Sequence, residues 1–381
     1  MFSGILRRIN LSIDWFLLVP TLFISAFGIL TLYSFLDSGV GLSMFYRQLL
    51  WVLVALFVMI IVAGVDWRFL RRGSSIFFLY ILSAVLLIAL LLFGSVFNGA
   101  KSWFNLGFFA FQPVDIVKII IILVLAKYFS RRHIDIYNIR HIIASGLYVA
   151  MLFGLVILQP DFGSAIILLL IWLFMLVFSG ISKKQILTFF LIGVVAFGGL
   201  WFFGFKQYQK DRIISFLHPR TDIHGIGYSA YQAKVAIGSG EMFGRGVGLG
   251  SQSKLKFLPE YETDFIFAAF SEEWGFIGGL VLFALYGTMF ARLILLSMRA
   301  STNFESLFGL GFLAFVLSHF VIHVGMNLGL LPITGITLPF MSYGGSHTIA
   351  EFIGLGIIMS QVKYSRQAHQ GQYKNEIVGV V

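Results

Sequence analysis

Cysteine is missing altogether from the 381 residues. Disulfides, zinc–thiolate sites, iron–sulfur clusters and a cysteine nucleophile are excluded together. Charge is scarce too: 12% of residues are Asp, Glu, Lys or Arg, where a soluble domain carries roughly twice that share. What remains is apolar, with 59% hydrophobic residues and 43 phenylalanines at a mean hydropathy of +0.92. A single compact core does not hide that much apolar surface from water, so the solvent for this chain is the bilayer. Arg7 and Arg8 run straight into a long apolar stretch without a small-residue cleavage site, which reads as an uncleaved first span.

Apolar runs of roughly 17–25 residues cross the hydrocarbon. They lie near Trp15–Phe35, Leu49–Val65, Ile76–Phe93, Val114–Phe129, Ile142–Leu158, Ser164–Phe178, Gln185–Phe203, Phe265–Leu285 (with an extension to Leu296 left open), Leu307–Met326 and Thr348–Met359. The fourth and sixth are short and the last is very short, leaving a re-entrant segment as an alternative for one of them. With the N-terminus inside, the inside loops hold Arg68, Arg71 and Arg72; Arg131, Arg132 and Arg140; Lys183 and Lys184; Arg292 and Arg299; and the tail adds Lys363, Arg366 and Lys374. The short outside loops hold only Arg47 and Lys101. Lys and Arg mark the cytoplasmic side of short loops, so both termini are expected inside. The net charge of +10 then records topology and does not imply nucleic acid. The expected fold is an all-α polytopic membrane protein of about ten transmembrane helices. Residues 1–381 form a single integral membrane domain, and a long outer loop, 204–264, between the seventh and eighth helices carries the catalytic region.

Turn chemistry crowds the outer face, in Asn98–Pro113, Gln159–Gly163 (QPDFG) and Asn327–Ser346, while the inside loops are plain basic connectors. In the long loop, Gln207–Pro219 reads as a short amphipathic interfacial helix carrying Lys210 and Arg212. Gly225–Gly250 is glycine-rich and reads as irregular. Asp264 sits where the loop re-enters the membrane. Partial desolvation raises a carboxylate's pKa and makes it a better proton acceptor near neutral pH, although Thr263 or Asp264 also suits a helix N-cap. Glu272 and Glu273 lie about two turns deeper, where carboxylates face a partner or a cavity. Lys118, inside the fourth span with Asp115 one turn above, pairs with Asp264 or one of these glutamates. Gly238–Ser251, with Arg245, offers backbone amides of the kind that cradle phosphate; a loop using glycine for positive φ is the plainer alternative. Pro339–Ser346 resembles irregular backbone lining a cavity. His319 and His323, i and i+4 on the ninth span, read as packing residues, since no HExxH pattern accompanies them.

The segments GAKSWFNLGFFAFQPVDIVK, QPDFGSA, SGEMFGRGVGLGSQSKLKFLPEYETDFIFAAFSEEWGFIGG and LLPITGITLPFMSYGGS together resemble the signature regions of the SEDS family of peptidoglycan polymerases. The spelling at Phe111–Pro113 and the GSQSKLKFLPE block are more similar to its elongation branch than to its division branch. The resemblance implies a glycosyltransferase that joins the disaccharide of lipid II, carried on undecaprenyl pyrophosphate, to a growing glycan strand. It places the family's essential outer-loop aspartate on Asp264 and the lysine after the QPSE-type motif on Lys118. Here that motif reads Gln112-Pro113-Val114-Asp115, so a Ser and a Glu are missing.

Supporting or substrate-binding residues are expected at Lys118, Lys101, Asp161, Arg212, Arg245, Glu260, Glu273, Ser342, Gly344 and Ser346. A divalent cation, Mg or Mn, is the one cofactor admitted. The implied partners are a class B penicillin-binding protein and the elongation machinery, and the location is the inner membrane, multi-pass, with the site on its outer face. A lipid II flippase shares the intramembrane charges and broken helices, but alternating access needs gates on both faces. A non-catalytic scaffold leaves Lys118 and the glutamates without a role.

Overall fold

The computed structural model describes residues 13–35, 41–67, 69–72, 74–97, 100–105, 107, 109–131, 138–205, 207–217, 226–255 and 257–378. Arg7, Arg8, Arg68, Asn98, Arg132, Pro219 and Gly225, all used in the sequence reading, lie outside the described residues. The chain is mainly helical. In order come α1 (Trp15–Tyr33), α2 (Gly41–Gly64), the single turn α3 (Phe69–Arg72) and α4 (Ser75–Phe93), followed by three short strands, β1 (Ser95–Phe97), β2 (Ala100–Asn105) and β3 (Ala110–Phe111). Then follow α5 (Pro113–Ser130), α6 (Ile139–Leu158), α7 (Phe162–Phe178), α8 (Lys183–Gly199) with a π-helical turn at Leu200–Gly204, α9 (Gln207–Leu217), α10 (Ile226–Ser239), α11 (Ser251–Lys254), α12 (Ile266–Met298), α13 (Asn303–Leu328) and α14 (Gly345–Val378).

Seven helices among the described residues are long and apolar enough to cross a membrane: α1, α2, α4, α6, α8, α12 and α13. The chain is therefore polytopic. Helix α5 carries Asp115, Lys118 and Lys127, yet nearly all of it is buried by neighbours, including both Asp115 and Lys118. It runs through the middle of the bundle, packed against α4, α13 and α7; a helix with this charge persists at such depth only when it faces protein. Helix α14 lies along α2, and α12 lies against α1 and α13. At one end, the Asp14 carboxylate caps α1 and takes both Arg292 Nε (2.9 Å) and Nη2 (2.6 Å) from α12.

Three sequence expectations change. The last apolar run is the front of a 34-residue helix, α14; its polar second half is invisible to hydropathy, but Gln, Lys and Arg sustain a helix well. Residues 226–239, read as irregular, form α10: between its glycines the run YSAYQAKVA contains good helix formers, and only 240–250 is irregular. The segment before α5, with no strand expected in it, forms a three-stranded antiparallel sheet in the order β1-β2-β3, with Phe104 opposite Phe111.

Candidate active site

The N-termini of α5, α7, α12 and α14 meet at one end of the bundle around a cavity of about 660 Å³. Its floor is charged and buried. Lys118 Nζ stands 3.2 Å from Asp115 Oδ1 and 3.4 Å from His319 Nε2. The same Asp115 oxygen lies 3.5 Å from His347 Nδ1. His347 Nε2 lies 2.7 Å from Glu351 Oε1, whose other oxygen accepts the Phe340 N–H at 2.8 Å. Lys118 is thus paired with its own helix neighbour, not with Asp264 or the deeper glutamates. An i, i+3 spacing puts Asp115 and Lys118 on one face, and this local partner reaches the ammonium first. His319 is more than a packing residue: it faces the cavity, tilted over His347 with ring centroids 5.0 Å apart.

Asp264 lies on the rim, partly exposed to the cavity. Its backbone is held from two sides. Asn327 Nδ2 donates to Asp264 O at 3.0 Å while Asn327 Oδ1 accepts Ala268 N–H at 3.2 Å. On the other side, the nonhelical segment 329–344 contributes Ser342 Oγ, which donates to Thr263 O at 2.8 Å, and Tyr343 N–H, which donates to Glu262 O at 2.9 Å. Gly335 has φ +71°, and a Cβ there would sit 3.4 Å from Asp264 Oδ2. Burial first, then the nearby negative charge of Glu260, pushes the Asp264 carboxyl up to about 7, with Arg212 pulling the other way. A carboxylate poised there accepts a proton readily at neutral pH.

Of the other residues expected at the site, Lys118, Asp161, Arg212, Glu260 and Gly344 line the cavity. Asp161 caps α7 by accepting Ser164 N–H at 3.0 Å and takes Gln112 Nε2 at 3.2 Å. Ser342 and Ser346 act behind the wall. Ser346 Oγ accepts Gln112 N–H at 3.2 Å and donates to Gln112 O at 3.1 Å. Lys101 turns away and caps the end of α4 at Leu91 O, 2.8 Å. Arg245 is exposed and donates to Ser239 O at 3.1 Å.

Gly238–Ser251 holds carboxylates of its own chain. Gly248 N–H donates to Glu273 Oε1 at 3.0 Å and Gln252 N–H, just beyond it, to Glu272 Oε1 at 2.9 Å. Helix α12 is broken at Gly275, φ +65° and ψ −164°, and the loop fills the break. Phe276 and Ile277 N–H donate to Glu241 O (2.9 Å) and Met242 O (3.1 Å), while Glu272 O and Glu273 O accept Arg245 and Gly246 N–H, both at 3.0 Å. Backbone groups freed by a helix break must find partners away from water, and this loop supplies them.

Among the described residues no group of three or more His, Asp or Glu side chains is arranged to hold a metal ion. The floor carboxylate nearest the cavity, Asp115, already faces two nitrogen partners.

The family described as "Cell cycle protein", which groups FtsW, RodA and SpoVE, matches residues 10–367. The peptidoglycan glycosyltransferase MrdB of Escherichia coli K12 is 36% identical over 326 residues, covering 85% of this chain and 86% of that protein. A chain from a structure described as a peptidoglycan synthase complex that coordinates polymerization and crosslinking has a TM-score of 0.80 and 30% identity, covering 94% of this chain and 99% of its own. The rod shape determining protein RodA of Thermus thermophilus has a TM-score of 0.69 and 29% identity, covering 92% and 97%.

Proposed function

Since the chain belongs to the FtsW, RodA and SpoVE family, we propose that it is a peptidoglycan glycosyltransferase that polymerises lipid II. The observation that carries this reading is one cavity lined at its rim by Asp264 and at its floor by Lys118. A general base and a buried cation lining one cavity suit transfer of a sugar from an anionic leaving group.

The acceptor sugar hydroxyl attacks the anomeric carbon of the lipid-linked sugar. Asp264 takes the hydroxyl proton as the new C–O bond forms, a role worth roughly 10²–10⁴-fold. The bond from the anomeric carbon to the pyrophosphate oxygen breaks, and undecaprenyl pyrophosphate leaves with the electron pair. Lys118 and Arg212 stabilise the charge that develops on it; fixed cations in a site screened from water act strongly at that moment. The N-termini of α5, α7, α12 and α14 add positive potential at the same end.

The topology that goes with this reading has ten spans, α5, α7 and α14 joining the seven apolar helices. Both termini lie in the cytoplasm and the cavity opens at the outer face of the inner membrane. Basic inside loops at Arg71, Arg131, Lys183 and Arg299 support it. The elongation branch is favoured by the GSQSKLKFLPE block and by the likeness to a rod shape determining protein. A crosslinking transpeptidase of the class B penicillin-binding type is the partner in this reading. The test is polymerisation of purified lipid II in detergent by the protein and by Asp264→Asn, each with that transpeptidase present. Loss of glycan product in the mutant is expected; full activity would remove Asp264 from the base role.

A further inference from the structure

Asp115, the ion-pair partner of Lys118, faces a second partner from another helix. His347, from the first turn of α14, places one ring nitrogen 3.5 Å from Asp115 Oδ1 and the other 2.7 Å from Glu351 Oε1. Each ring nitrogen stands near a carboxylate oxygen, and only the doubly protonated ring presents an N–H on both sides. With both carboxylates ionised, a charged ring balances the floor. Asp115 and Glu351 bring two negative charges into a buried floor (2% and 0% exposed), and Lys118 alone brings one positive charge. Uncompensated buried charge is costly, so the ring that bridges the two carboxylates carries the second positive charge.

We infer that His347, held by Glu351, is a positioning residue for the transferase. It anchors Asp115 from α14 so that the Lys118 ammonium stays aimed into the cavity, and it adds a second cation to the floor against which the pyrophosphate leaves. Glu351 sets the ring in turn, because its second oxygen is fixed by the Phe340 N–H at 2.8 Å, in the same nonhelical segment whose Ser342 and Tyr343 hold the backbone beside Asp264. The base and the cationic floor are thereby built on one piece of backbone. This inference rests on the lipid II polymerase reading and assigns its specificity for an anionic leaving group.

Lipid II polymerisation by purified protein, with kcat and KM resolved, tests it. Wild-type protein must polymerise lipid II in the same assay; if it does not, the polymerase reading fails, and this inference with it. Removing both members as His347→Ala/Glu351→Ala avoids stranding a buried carboxylate. A loss of about tenfold to a hundredfold is expected, mainly in kcat, because misplacing a group that acts in the transition state spares substrate binding. Adding Asp115→Glu to that double variant extends the carboxylate into the space the ring vacates and is expected to bring kcat back to within about threefold of wild type, since a re-seated partner re-aims Lys118. A second variant, His347→Gln, keeps the bulk and one donor without the charge and is expected to lose kcat while its unfolding midpoint stays near wild type. The inference is overturned if the double variant keeps wild-type kcat, if Asp115→Glu does not repair the loss, or if His347→Gln retains full activity.

Discussion

Ser346 and Gln112 are bonded twice: Ser346 Oγ accepts the Gln112 N–H at 3.2 Å and donates to the Gln112 carbonyl at 3.1 Å. The pair joins the first turn of α14 to the start of α5, and so sets the distance between His347 and Lys118. Ser346→Ala leaves two backbone groups of Gln112 without that partner, a loss of about 1–3 kcal/mol. The unfolding midpoint in detergent should fall accordingly. Glycan synthesis should fall as well, because the two helices that carry the cationic floor lose their tie.

The Asp264 carboxyl, raised to about 7, fixes the sign of a pH effect. As a base it must be ionised, so kcat/KM should rise with pH through about 7 and level off above it. Glu260→Gln removes the negative charge that raises it, and the rising limb should move to lower pH. Arg212→Gln removes the opposing positive charge and should move it to higher pH, along with a lower plateau. A limb that stays put in both variants would place the titrating group elsewhere.

The same shift has a stability consequence of definite sign. A carboxyl that holds its proton more tightly in the folded state makes folding less favourable as pH rises. The cost sets in above the ordinary Asp value of about 4 and is complete above about 7. Asp264→Asn removes it, so the variant should gain stability over wild type at pH 8 while losing polymerase activity. Unfolding followed by intrinsic fluorescence at pH 5 and pH 8 checks this: the gain should shrink at the lower pH.

Glu273 and Arg245 should separate, although both belong to the same loop system. Glu273→Ala strips the Gly248 N–H of its acceptor inside a helix break and should cost about 1–3 kcal/mol. Hydrogen exchange should then speed up across 240–250. Arg245→Ala removes an exposed side chain and should stay within about 0.5 kcal/mol of wild type, with polymerisation little changed. Gly275→Ala should resemble Glu273→Ala and exceed it, because a Cβ at φ +65° runs into the Gly244 amide, and strained backbone of this kind costs about 1–3 kcal/mol by itself.

The spans were legible because bilayer thickness writes itself into runs of apolar residues, and Trp15–Tyr33 and Ser75–Phe93 lie within two residues of where those runs put them. Helix α14 was legible only in its first half, since the property used was hydropathy and its second half stays helical while turning polar. Asp264 could be found from its place at a loop's re-entry, a local fact. The partner of Lys118 was misread because charge alone does not choose among carboxylates; packing chose Asp115. His319 shows in the sequence only as an i, i+4 pair with His323, which reads as packing, and His347 gives no signal. Each faces the cavity because α13 and α14 cross α5 at a particular depth, and crossings of helices distant in sequence leave no periodicity in any one of them. The glycine-rich segment shows the same limit in reverse. The plainer reading holds, with Gly244, Gly246 and Gly248 at positive φ, and the carboxylate its Gly248 amide meets is Glu273 of the same chain.

Asn327 offers the sharpest test of how the base is held. Near the end of α13, its amide donates to Asp264 O at 3.0 Å and to His323 O at 2.8 Å, while its oxygen accepts Ala268 N–H at 3.2 Å. It bridges the carbonyl just before α12 and an amide in that helix's first turn, and so fixes where the Asp264 side chain starts. Asn327→Leu keeps the branching at Cγ but makes none of these bonds. A base displaced by about 1 Å loses roughly a hundredfold in rate, so kcat should fall well beyond what the accompanying loss of stability explains, with KM nearly unchanged. Asn327→Asp keeps the acceptor for Ala268 and replaces the donor with an oxygen facing the Asp264 carbonyl. If position matters, it should be as inactive as the leucine variant. If only the helix start matters, it should keep its activity.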